Sequence, residues 1–65
     1  MEKDSAEDLD RIVLEPECER RSQLSRSTRY REELAGRFPR RIKLSKQRRG
    51  WRLRDIVNWI NNRPA

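Results

Sequence analysis

The chain has no histidine, a single cysteine (Cys18) and no long apolar run. Without histidine it lacks the usual general base and the commonest neutral metal ligand. One cysteine alone makes no internal disulfide and no zinc site. The acids are scattered along the predicted helices with no expected cleft to shift their titration. Glu32 and Glu33 therefore read as helix-face charges, not as a catalytic pair. No enzyme, cofactor or metal centre is expected. The absence of a secretory apolar segment or a membrane-length run points to a cytoplasmic location, in a bacterium the nucleoid. No internal repeat or low-complexity linker appears.

What the chain has in abundance is charge. Of its 65 residues 43% are charged and 32% hydrophobic, with a net charge of +6. So short and polar a chain builds only a small core, and association would help to stabilise it. The charge is also uneven. Residues 1–10 hold five acids and one lysine, and residues 11–65 hold sixteen Lys/Arg against six Asp/Glu. This divides the chain into an acidic tail over 1–10, expected to be disordered, and a basic domain over 11–65. Fourteen of the seventeen basic residues are arginine, whose planar fork suits phosphates and guanine edges better than a lysine ammonium does.

Local patterns divide the domain further. Residues 11–14 (RIVL) read as a strand lead-in. Pro16 sits where helices begin and Glu17 and Glu19 follow in the first turn, which predicts a short helix over 16–22 with Cys18 as its one apolar, core-facing residue. Ser25 is a helix N-cap. The second helix is expected to run to residue 35, where Gly36 supplies a left-handed stop and Pro39 forbids continuation. Residues 22–24 join the two helices as a helix-turn-helix.

From residue 40 the period changes to two. Ile42 and Leu44 alternate with Arg41 and Lys43, and Trp51 and Leu53 with Gly50 and Arg52, so a hairpin is predicted with residues 45–49 at its tip. Leu53, Ile56, Val57 and Ile60 return to helical spacing, with Trp59 beside them, and Pro64 follows. Trp51 and Trp59 are assigned to the core rather than to base stacking, and Phe38 to the gap between the second helix and the hairpin. The order is strand, helix, helix, hairpin, helix. This is an α+β fold: a small winged-helix-like domain of three helices with a two- or three-stranded antiparallel hairpin as the wing.

Both basic elements point to a polyanion. The second helix is long enough to lie across a major groove, and its N-terminus presents unpaired N–H groups. Ser25, Ser27 and Thr28 add hydroxyls; Arg26, Tyr30 and Arg31 project from one broad side, with Arg29 closer to the other. Arg31 is the expected base reader. At the wing, Lys46, Gln47, Arg48 and Arg49 crowd the tip and Arg40 and Arg41 stand at its base, suited to a minor groove or the DNA backbone.

The segments SRSTRYR, AGRFPRRIKL and RRGW, with the I-x-x-W-I helix, together resemble the AlpA family of prophage regulators, small relatives of phage excisionases and of the MerR-type helix-turn-helix. The similarity spans residues 10–63. It implies a winged-helix-like domain that binds specific sites on duplex DNA. Relatives activate transcription of a neighbouring integrase gene, or act as excisionases that bend attachment-site DNA. Residues Ser25 to Thr28, Tyr30 and Arg31 match the family's recognition helix, and Ser45 to Arg49 its wing tip. The resemblance also implies partnership with an integrase and with neighbouring copies on DNA. Three features depart from the pattern. Gln23 replaces an inter-helix glycine, so a left-handed backbone there would carry a side chain's cost. Glu32 stands where relatives have a core aliphatic and Leu34 on a usually polar position, so the second helix is expected to be rotated, frayed or less well packed. Glu19 replaces an apolar residue of the first helix. Two other readings of the basic surface stay open: an RNA-binding or ribosome-associated module, and a protein-interaction module acting on an integrase or regulator.

Overall fold

The computed structural model describes residues 8–63. They form β1 (Ile12–Val13), α1 (Glu15–Ser22), α2 (Arg26–Leu34), β2 (Ile42–Lys43), β3 (Arg49–Arg52) and α3 (Leu53–Asn61), the expected order. The strands make one antiparallel sheet in the order β1-β3-β2. Ile12 pairs with Arg52 and Val13 with Trp51; on the other side of β3, Ile42 pairs with Gly50 and Lys43 with Arg49. The fold is thus α+β, three helices and a three-stranded sheet, consistent with a winged helix.

The core is built by alternation. Val13 and Trp51, opposite each other across β1 and β3, share one face of the sheet and are buried. Cys18 of α1 and Leu53 and Ile56 of α3 close over them, joined by Phe38. Each fully buried Leu or Ile contributes about 1.5–3 kcal/mol relative to exposure. Leu9, Leu24, Val57 and Trp59 flank this cluster. Burial pushes the Cys18 thiol up to about 11, against the pull of the neighbouring Arg29, so the cysteine behaves as a small apolar group.

The chain departs from the expected pattern at several points. Phe38, expected between α2 and the wing, is buried in the core cluster that includes Trp51. Its ring also meets Trp59 of α3 edge-on at 4.9 Å between centroids. Trp59 is only half-buried; its indole N–H donates to the Arg37 carbonyl at 2.8 Å, and the Arg63 guanidinium lies over its ring. Ile60, expected on the core stripe of α3, is 39% exposed. The hairpin tip begins one residue early. The Leu44 amide donates to the Arg48 carbonyl at 2.9 Å, which closes the loop over residues 44–48 and leaves Arg49 in β3. Leu53 leaves the strand to start α3.

At the N-terminus, residues 8–10 form a turn: the Arg11 amide donates to the Asp8 carbonyl, and the Arg54 amide of α3 donates to the Leu9 carbonyl at 2.8 Å. The rest of the acidic segment assigned to a tail, residues 1–7, lies outside the described residues, as does Pro64.

Among the described residues two positions carry left-handed backbone. Gly36 (φ 79) ends α2 as expected, and Gln23 (φ 62) caps α1 where a glycine would be unstrained. Gly50 is needed for a different reason. A Cβ there would lie 2.7 Å from Ile12 Cγ2 and 3.1 Å from both Leu44 Cδ1 and the Val13 carbonyl oxygen. Gly50→Ala is accordingly expected to destabilise the domain by about 1–3 kcal/mol. A thermal melt would show this as a clearly lowered Tm; an unchanged melt would mean that the sheet's outer face is not closed over this position.

Candidate nucleic-acid interface

α2 is an unusual helix, because it buries no apolar side chain. Its two large hydrophobic residues face solvent, with Tyr30 48% and Leu34 70% exposed. Arg26, Ser27 and Arg31 are exposed with them, so the outward face reads Arg26, Tyr30 and Leu34 at i, i+4 and i+8, with Ser27 and Arg31 alongside. The inward face is polar, and its one buried residue is Arg29. The exchange of polar and apolar residues at Glu32 and Leu34 thus leaves the helix attached by charge instead of by hydrophobic packing.

Arg29, 2% exposed, supplies that attachment. Its Nε donates to the Leu24 carbonyl at 3.1 Å, and its two terminal nitrogens donate to the two carboxylate oxygens of Glu15, at the head of α1. Its guanidinium carbon sits 5.5 Å from the centroid of the Trp51 ring in β3. Burial opposes the charge on Arg29, but the hydrogen bonds and the charge of Glu15 hold it, and its pKa rises. The same bonds hold Glu15 below the usual carboxylate range.

A second tie runs from the far end of α2. Arg41 Nε donates to Glu33 at 3.0 Å, and its guanidinium lies 4.8 Å from the centroid of the Tyr30 ring. This fixes the base of the wing against α2. At the start of α2, the Ser25 hydroxyl accepts from the Thr28 amide at 3.3 Å, a cap worth about 1 kcal/mol.

These ties place the helix and the wing on one side of the molecule. Leu14, Glu15, Arg26, Arg29, residues 47–49 and Trp51 line a cleft of about 400 Å³ between the head of α1, the start of α2 and the wing tip. Ser25, Arg26, Ser27, Tyr30 and Arg41 line a second hollow, which shares Arg26 and Arg41 with the first.

The residues singled out from the sequence separate into two groups. Ser25 and Thr28 bond each other within the cap, with 3.0 Å between their hydroxyls. Arg41 is held by Glu33, and Arg49 Nη1 donates to the Ser45 and Arg48 carbonyls, bracing the tip. Among the described residues the Arg31 guanidinium has one hydrogen-bond partner, the Thr28 hydroxyl at 3.5 Å. Arg26, Ser27, Tyr30, Arg40, Lys46, Gln47 and Arg48 are exposed. The sequence reading did not foresee the part that Arg29, Glu15 and Trp51 play in shaping the cleft. The signal was present: a helix whose only apolar residues share one face needs a counter-charge for the other.

Among the described residues, no group of three His, Cys, Asp or Glu side chains is placed to hold a metal ion. No helix among them is long and apolar enough to cross a membrane. Residues 11–64 match the family model described as prophage CP4-57 regulatory protein (AlpA). No curated protein and no solved structure matches the chain.

The ion pairs that hold the helices make stability depend on acid. Glu17 accepts from Arg11 at 2.9 and 2.8 Å and from Arg21 at 2.8 Å, which lowers its pKa from 4.5 to about 2; that of Glu15 is lowered as well. A carboxylate with a depressed folded-state pKa adds stability above its unfolded value and loses it as pH falls through the folded one. Thermal stability is therefore expected to hold above pH 4.5 and to fall from there toward pH 2. Glu17→Gln should flatten part of that fall. Arg29→Ala should cost about 2–3 kcal/mol at neutral pH, since it strips the inward face of α2 of its anchor while the Glu15 left behind is partly solvated. A melt of Arg29→Ala matching wild type would refute this account of how α2 is held.

Proposed function

The chain belongs to the AlpA family of prophage DNA-binding regulators, and we propose that it is a sequence-specific duplex DNA-binding protein that activates expression of a neighbouring integrase gene or acts as an excisionase. The observation that carries the reading is the shared cleft: the first residue of α2 and the wing tip line one concavity. A duplex approaching that side meets both elements at once.

In this reading the outward face of α2 enters the major groove. Arg26 and Ser27 meet it at the helix start, and Tyr30 and Arg31 follow one turn on. A bidentate arginine–guanine pair supplies roughly 1–3 kcal/mol of discrimination against a wrong base. The wing tip, with Lys46, Gln47 and Arg48, lies on the minor groove or the backbone, and Arg40 reaches a flanking phosphate. Ser25 and Thr28 act through the cap, and Arg41 and Arg49 act as braces that hold helix and wing in register. Neighbouring copies on DNA and an integrase are the protein partners, and the bacterial nucleoid is the location.

Binding is expected to be steeply dependent on salt. With about five phosphates neutralised, log K falls against log salt with a slope of roughly −4.5. Arg31→Ala should reduce the preference for the specific site over random duplex. Arg48→Ala should weaken binding to both alike and make the slope shallower by about 0.9. Titrations over a range of salt with both duplexes test this; identical behaviour of the two variants would remove the division between reading and anchoring. A footprint across the gene's own neighbourhood separates the two biological roles. Protection at an integrase promoter identifies an activator, and protection at an attachment site an excisionase.

A further inference from the structure

The cleft beside Glu15 is lined by five guanidinium groups, from Arg26, Arg29, Arg41, Arg48 and Arg49, and by one carboxylate. Three of the five are engaged: Arg29 by Glu15, Arg41 by Glu33, and Arg49 by loop carbonyls. The side chains of Arg26 and Arg48 have no hydrogen-bond or ion-pair contact among the described residues. They enter the cleft from different elements, one from the start of α2 and one from the wing tip. Trp51 forms part of the wall, is 3% exposed, and its indole N–H has no acceptor. With five guanidinium groups against one carboxylate the cleft is rich in donors and poor in acceptors, and at about 400 Å³ it far exceeds the space of a single water. A group made only of acceptors, with negative charge and tetrahedral oxygens, complements it.

We propose that this cleft seats one phosphodiester of the DNA backbone, held between Arg26 and Arg48, and that Glu15 is the resident anion that competes with it. The proposal rests on the duplex-binding reading and goes further, because it assigns one phosphate to one place. That phosphate bridges helix and wing and so sets the register of both on the same backbone. Glu15 has two effects in opposite directions. It neutralises buried Arg29, which holds α2 in place, and it repels the incoming phosphate, which weakens binding.

The test is a scan of single methylphosphonate linkages, which are neutral, through a synthetic duplex spanning the footprinted site. Wild-type protein is expected to lose about tenfold or more in affinity at one linkage, the loss of a charge-assisted contact. Arg48→Ala, a change at an exposed tip that no fold contact depends on, should lose less than about twofold at that linkage. Glu15→Gln, which keeps an acceptor for Arg29, should bind the unmodified duplex several-fold more tightly, with the gain absent on the neutral-linkage duplex. Circular dichroism shows whether Glu15→Gln is folded; if it is not, wild type and Arg48→Ala alone decide. If the duplex binds but no single linkage stands out, or the penalty is equal in wild type and Arg48→Ala, the phosphate seat is wrong and duplex binding stands. If no duplex binds in a salt-dependent way, the parent reading fails as well.

Discussion

A buried guanidinium organises this domain. Arg29 joins three elements through one planar group: α1 through the Glu15 carboxylate, the inter-helix turn through the Leu24 carbonyl, and β3 through the face of Trp51. A charge held away from water is costly unless its hydrogen bonds are met, and here all three nitrogens of the group have acceptors. A hydrophobic anchor would tolerate small rotations of the helix. The fork of an arginine on a carboxylate fixes direction as well as distance. The orientation of α2 about its own axis, and so the identity of the residues it turns outward, follows from that geometry.

This polar attachment has a functional consequence. Because α2 spends no apolar residue on the core, its aromatic and aliphatic side chains, Tyr30 and Leu34, stand on the outer face among arginines and hydroxyls. The core is left to α1, α3 and the sheet, where Val13, Cys18, Trp51, Leu53 and Ile56 pack together. The division suits a small regulator of the AlpA family. One part of the chain supplies stability, and another is held against it by charge and remains free to meet a ligand. The Arg41–Glu33 pair and the Arg41–Tyr30 contact carry the same logic to the wing, so that helix and hairpin hold their relative position without a shared hydrophobic layer.

Much of the architecture was legible because it rests on local rules. Ser25 caps, Gly36 turns left-handed, and Pro16 opens a helix, each for reasons contained within a few residues. The departure at Gln23 was legible too: the turn needs positive φ whichever residue occupies it, and the chain adopts φ 62 there. Errors fell where two patterns overlap or where a distant partner decides. Leu53 fits both the strand alternation and the helix spacing, and the helix claims it. Phe38 was legible as a buried residue, but its edge-on contact with Trp59, twenty-one residues away, was not.

The sequence by itself determined the order of elements, the capping positions and the division of charge, since each depends on composition or on spacing within a turn or a strand pair. Tertiary structure alone decided that Arg29 would be paired with Glu15, fourteen residues earlier, and that Arg26 and Arg48 would open onto the same cleft. The reason is that a charge finds its partner through space: its energy depends on distance and on the surrounding dielectric, and neither exists until the chain has closed upon itself.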